Sequence, residues 1–228
     1  MKNIFLISLF SSFAFFSKAY ADSALNARCA PFVENPHVIV ETTYDALKYD
    51  YSKVSKTLER LHQKEYGGNL HDGYRINGLS TYDLATSLDF NVAKKTFNDG
   101  VTCFYPTYVK LTVSVKNPMI YIARSLKKGS CSYEVALRHE QTHHQINMEV
   151  IKHYLPEIKQ SFVAAVQKYK LASRKKDDVA LEYVQESLQK KYLQAINPVL
   201  DKIRNEIKIE QLKLDNLENY AYEQSLCQ

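Results

Sequence analysis

Val109-Lys110-Leu111-Thr112-Val113-Ser114-Val115 alternates apolar and polar residues without a break, whereas Tyr133 to Leu155 repeats its apolar residues at helical spacing. The first pattern is that of a half-buried strand and the second that of an amphipathic helix. Between them lie the turn Lys116-Asn117-Pro118 and a short strand from Met119 to Ala123. This change of period sets the class as α+β. Upstream, Val38-Ile39-Val40 and the partial alternation of Leu88, Phe90 and Val92 add strand signal, and Asn98-Asp99-Gly100 marks a turn. Ser52 to Glu65 predicts a helix stopped by Gly67-Gly68. Together these predict an N-terminal antiparallel sheet of three to five strands, followed by a helical C-terminal half.

In that second half Ser130 or Ser132 caps the helix that starts near Tyr133, and Pro156 either kinks it or opens the next. Ile158, Phe162, Val166 and Tyr169 continue the stripe, a charged break follows at Ser173 to Asp178, and within it Ser173-Arg174-Lys175-Lys176 is expected to be a solvated loop. Leu181, Val184, Leu188 and Tyr192 mark a further helix, interrupted at Asn197-Pro198, with a last helix running to about Gln224.

The chain has 228 residues, 45% hydrophobic and 24% charged, which excludes disordered and collagen-like classes. Residues 1–21 predict a signal peptide: Lys2 opens a basic region, Ile4 to Phe16 is apolar or small, and Ala19-Tyr20-Ala21 has the small-x-small cleavage pattern. The apolar run is short for a membrane span, and no later stretch approaches the ~20 apolar residues that one needs. Residues 22–228 are therefore expected to form one domain of an exported protein, periplasmic or secreted, with no stable membrane span after cleavage. The net charge of +5 falls to +3 without Lys2 and Lys18, too weak for a nucleic-acid binder, and no RNP or zinc-finger pattern is present. Cys29, Cys103, Cys131 and Cys227 are too widely spaced for a metal knuckle and predict two disulfides. Three pairings are possible; Cys103 with Cys131 and Cys29 with Cys227 is the favoured one.

The chemistry is concentrated in His139-Glu140-Gln141-Thr142-His143, an HExxH on a predicted helix. Histidines four apart lie on one face, so both imidazoles can converge on one Zn²⁺. That face is the apolar stripe carrying Val135, Ala136, Ile146, Val150 and Tyr154. Glu140 is rotated by about 100° from His139 and is placed to act on a metal-activated water as general base.

An HExxH helix after an antiparallel sheet resembles the zincin metallopeptidases. The longer string His139 to Ile146, with the strands before it, is similar to a family of predicted secreted bacterial zinc-dependent proteases. The similarity covers about Gly78 to the C-terminus. It implies His139 and His143 as metal ligands and Glu140 as catalytic acid/base; the leading reading is an exported zinc metallopeptidase acting on a peptide or protein substrate. That family carries an Asp-containing terminal segment with Thr and His; here the stretch is Leu214-Asp215-Asn216-Leu217-Glu218-Asn219-Tyr220, without the Thr and His.

For the third ligand, Glu149 on an uninterrupted helix points about 80° away from His139 and ~15 Å along the axis, and His153 lies ~21 Å up the helix. His144 is rotated off the face. An acid on a later helix is preferred: Glu218, at the edge of the stripe Leu200, Ile203, Ile207, Leu214, Leu217 and Ala221 and within the family-like segment, then Glu210, inside that stripe. Tyr220 is a candidate oxyanion stabiliser. Two other readings stay open: a metal hydrolase acting on a cell-wall amide, and a secreted non-catalytic helical binding protein with a structural or degenerate HExxH.

Overall fold

The alternation at 109–115 extends in both directions into one long strand, the spine of the sheet. The computed structural model of the chain describes residues 27–66, 75–170, 173–175 and 181–227. The expected signal peptide and the Gly67-Gly68 helix stop lie outside these residues. After a 3₁₀ turn at Ala30–Phe32 come β1 (His37–Tyr44), β2 (Lys48–Asp50), α1 (Ser55–Tyr66), β3 (Gly78–Thr96), β4 (Thr102–Ile122), α2 (Cys131–Lys168), β5 (Ser173–Lys175), α3 (Leu181–Leu214) and α4 (Leu217–Ser225).

β4 is central, and the other four strands all pair with it. β2 runs parallel to it, Lys48 opposite Met119 and Asp50 opposite Tyr121. Thr43 bonds Ser114 at 2.8 Å and Thr112 bonds Glu41 at 3.2 Å. Both pairs have the sequence offset of the β2 register, as expected if β1 also runs parallel to β4. β5 is antiparallel, with Cys103 opposite Arg174. Phe97 and Val101 close the turn between β3 and β4, where Gly100 takes φ 83°.

This corrects the expected N-terminal antiparallel sheet. The sheet is drawn mainly from β3 and β4 in the middle of the chain and contains parallel pairing. It also takes a strand from 173–175, expected as a solvated loop. Side-chain alternation has period 2 whichever way the neighbour runs, so it carries no information on strand direction. Parallel neighbours need a crossover, and the segment after β2 that contains α1 supplies it. β5 is a three-residue Ser-Arg-Lys strand, defined by backbone pairing alone. Pro156 and Pro198 both lie inside continuous helices; the break in the C-terminal helix falls at 215–216 instead of Asn197-Pro198.

The disulfides also correct the favoured pairing: Cys29 joins Cys103 and Cys131 joins Cys227. Cys103 sits at the start of β4 and Cys131 beyond its end. A 21-residue strand at about 3.3 Å per residue holds its ends tens of ångströms apart, too far for a bond that needs Cα atoms within about 7 Å.

The described residues fall into two compact units. One comprises those up to Val38 with Asp89–Val109 and Ala164–Tyr192. The fully buried Cys29–Cys103 bond lies here, with an edge-to-face Phe32–Phe97 pair and Arg28 paired to Asp99. The other comprises Ile39–Leu88, Lys110–Val163 and Leu193–Gln228. In it Leu111, Val113 and Val115 of β4 are buried, as their alternation predicts. Leu58 of α1 packs on Leu79 and Ala123, and Tyr133 of α2 on Ile120 and Ile122. These two clusters fix the start of β3 and the start of α2.

Tyr82 on β3 is half-buried, and burial pushes its hydroxyl up to about 12 against a smaller opposing pull from Arg204. An unfolded tyrosine ionises near about 10. Between those values the folded chain keeps a proton that the unfolded chain releases. The contribution of Tyr82 to stability is therefore complete below about pH 10 and lost as pH rises to about 12. Tyr82→Phe is expected to shallow the alkaline unfolding curve in this window, as followed by circular dichroism; superimposable slopes would show that Tyr82 does not carry it.

Candidate metal centre

Three side chains, two from α2 and one from just beyond α3, converge in the second unit. Ser130 caps α2: its hydroxyl accepts the Tyr133 N–H at 3.3 Å and its carbonyl the Glu134 N–H at 3.0 Å. With Tyr133 anchored on β4, His139 and His143 are carried inward, each only 7% exposed. Gln141 points outward, its amide donating to the Tyr49 hydroxyl at 3.3 Å.

The third side chain is Asp215. α3 ends at Leu214; the Asp215 N–H still bonds the Gln211 carbonyl at 2.8 Å, and Asn216 then caps α4 by accepting the Asn219 N–H at 2.8 Å. Asp215 Oδ1 lies 3.1 Å from His139 Nε2 and 3.1 Å from His143 Nε2, and the two nitrogens are 3.1 Å from each other. Ligand atoms on a tetrahedral zinc at about 2.0–2.1 Å stand about 3.3–3.4 Å apart, so the triangle is near the size such an ion needs. Protons cannot satisfy it fully. A proton on one nitrogen pointing at the carboxylate leaves the other nitrogen's lone pair facing its neighbours, and N–H groups on both must converge on the one Asp215 oxygen to which Tyr220 already donates. A cation at the centre satisfies all three lone pairs, and two imidazoles with one carboxylate form a donor set suited to zinc or ferrous iron. Asp215 leaves 33% of its side chain exposed, whereas the two histidine side chains are nearly buried.

The surroundings orient this set. His139 Nδ1 lies 3.0 Å from Glu223 Oε2. A proton on Nδ1 donated to that carboxylate frees Nε2 as a ligand and fixes the ring. The Tyr220 hydroxyl donates to Asp215 Oδ1 at 2.6 Å, its ring 5.4 Å from that of His139. Burial pushes the Tyr220 hydroxyl up, and the negative Asp215 adds to it. Burial alone would raise Asp215, but the hydrogen bonds from His139 and His143 outweigh it and hold the carboxyl well below the usual range. Burial opposes the charged form of His139, while Asp215, Glu140 and Glu223 together raise it.

Glu140 is 6% exposed and is not one of the converging ligands. Burial pushes its carboxyl up to about 7, although His143 and His139 pull the other way, and the Ser80 N–H bonds it. Gly78 opens β3 against this side chain: a Cβ there would meet Glu140 Cγ and Oε1 at 2.5 Å. Only glycine lets the strand approach so closely.

Neither expected third ligand joins the triangle. Glu218 is exposed on α4, and Glu210 pairs with Lys213. The expectation treats Leu200 to Ala221 as one helical stripe, but the chain resets at Asp215-Asn216, so positions beyond Leu214 do not extrapolate. An Asp-Asn pair just past an apolar stripe, with Asn as a cap residue, is the sequence signal that locates this break. Glu149 and His153 stand away from the triangle, Glu149 beside Lys152 and His153 against Tyr154. Glu223, Ser80 and Gly78 have no motif to mark them. Nor does His62 on α1, which burial holds low and which lies within electrostatic reach of Asp215 and His143.

Gly78→Ala is expected to destabilise the protein by about 1–3 kcal/mol through overpacking on Glu140. Adding Glu140→Ala to it should recover most of that loss in denaturant titrations, because the clashing carboxylate is gone; additive losses would place the strain elsewhere. No protein-family model matches the chain, and no curated protein and no solved structure matches it either.

Proposed function

We propose that this chain is an exported zinc-dependent metallopeptidase that hydrolyses peptide bonds in a peptide or protein substrate, with His139, His143 and Asp215 holding the metal. The observation that carries this reading is the triangle of His139 Nε2, His143 Nε2 and Asp215 Oδ1, 3.1 Å on each side, with buried Glu140 in the same helical turn. The HExxH spacing and the resemblance to the zincins agree with it. Two disulfides, and the lack among the described residues of any helix long and apolar enough to cross a membrane, are compatible with an exported protein.

Zinc held by these ligands would supply Lewis acidity, polarising a carbonyl and acidifying water. The chain's own groups do the rest. Glu140, buried beside the ligands without being one of them, is placed to take a proton and deliver it to the departing amine. The Ser80 N–H and the close wall at Gly78 keep that carboxylate from swinging away. Glu223 sets the tautomer of His139. Tyr220, whose hydroxyl already points into the site, is placed to donate a hydrogen bond to negative charge that develops beside Asp215.

Native protein purified without chelator or His tag is expected to contain about one zinc per chain, and His143→Ala and Asp215→Ala should lose it on dialysis. Glu140→Gln should retain zinc and fold while turnover of a peptide library falls by about 100- to 10,000-fold. Protein that takes up no zinc even when supplied with it would sink the reading. Zinc without turnover would leave the non-catalytic binding protein in its place.

A further inference from the structure

The two disulfides sit in opposite environments. Cys29 and Cys103 are fully buried, whereas Cys131 is exposed and Cys227 half-exposed. The accessible bond joins the first residue of α2, the helix that carries HExxH, to the residue following Leu226 beyond the end of α4. α4 itself has no buried residue. Its ties to the unit include the Asn216 cap, the Asn219 side chain on the Leu214 carbonyl, Tyr220 on Asp215 and against the His139 ring, Glu223 on His139, and the disulfide. A nine-residue helix is marginal on its own in water, and one without a buried apolar face gains little from packing. Two of these ties, from Tyr220 and Glu223, are the contacts that order the metal triangle. Asp215, by contrast, is held to α3 through its N–H bond to Gln211.

We propose that closure of the Cys131–Cys227 bond completes the metal centre, with α4 as its positioning element and Glu223 and Tyr220 as the positioning residues that the bond delivers. The proposal rests on the metal reading above and adds to it a redox condition. In closure the two thiols lose two protons and two electrons to a disulfide oxidant, which is reduced to two thiols; reopening by a dithiol runs through a mixed disulfide and oxidises the dithiol. With the bond open, His139 and His143 remain on α2 and Asp215 at the end of α3, but His139 loses its carboxylate partner and Asp215 its tyrosine. The ligand set then stays present but poorly oriented. A chain made in a thiol-rich compartment would bind zinc weakly and mature only where disulfides form.

Zinc affinity is to be measured by competition with a chromophoric chelator for the oxidised wild type, Cys131→Ser/Cys227→Ser, Glu223→Gln, and the two combined. The serine pair and Glu223→Gln are each expected to bind zinc about 10- to 100-fold more weakly than the wild type, the size of effect typical for loss of a partner that orients a ligand. The combination should bind no more weakly than the serine pair alone, because the bond acts by delivering Glu223. Glu223→Asp is expected to recover part of the affinity when the disulfide is intact and none when it is absent. If the serine pair fails to fold, brief dithiothreitol treatment of native protein followed by alkylation opens only the exposed bond and gives the same comparison. Wild-type affinity in the open form, or multiplicative losses in the combination, would overturn the proposal and leave the metal site standing. No zinc binding by the oxidised wild type would overturn both.

Discussion

Two imidazole nitrogens and a carboxylate oxygen, each 3.1 Å from the other two, form an arrangement that protons satisfy poorly and a cation satisfies well. Bringing such groups together away from bulk water is unfavourable unless the surroundings hold them there. Much of the second unit can be understood as doing so. Tyr133 seats the first turn of α2 on β4, the apolar stripe of α3 brings Asp215 to the same place, and Glu223 fixes one ring from outside. Each support comes from a different element, so the geometry of the triangle depends on the tertiary fold as a whole.

The sheet contributes proximity more than chemistry. β3 begins beside Glu140, and the absence of a side chain at Gly78 sets how near the strand can come. The neighbouring Ser80 N–H then acts directly on the carboxylate. Leu79, between them, is buried against Leu58 and Ala123, which keeps the strand in place. Three consecutive residues thus divide the work: one makes room, one anchors and one hydrogen-bonds. The Glu140 carboxylate is thus held by backbone, at Gly78 and at Ser80.

Local periodicity carries much of this fold. The alternation at Val109–Val115 locates β4, the Asn98-Asp99-Gly100 turn separates β3 from β4, and the spacing of His139 and His143 places both imidazoles on the inward face of α2. What it does not carry is relational. Strand direction is invisible in a period of two, so a parallel partner of β4 reads the same as an antiparallel one. Disulfide pairing depends on how far β4 runs beyond its clear alternation, and that alternation ends well short of Thr102 and Ile122. The third ligand depends on one broken helix: extended past Leu214, the stripe points to Glu218 and Glu210, whereas Asp215 lies where the stripe ends. Glu223 and His62 lie far from HExxH in sequence and reach it only through the fold.

The position of Asp215 also bears on how this chain tolerates change in length. The residue is the first beyond a helix whose buried stripe ends at Val199, Leu200, Ile203 and Ile207. Between Ile207 and Asp215 the exposed positions Lys208, Ile209, Leu212 and Lys213 have little packing to constrain them. Substitution there is geometrically inexpensive, but each residue added or removed turns the helix end by about 100° and shifts it by about 1.5 Å. A segment permissive in composition is therefore strict in residue count, because it acts as a spacer whose phase aims a carboxylate.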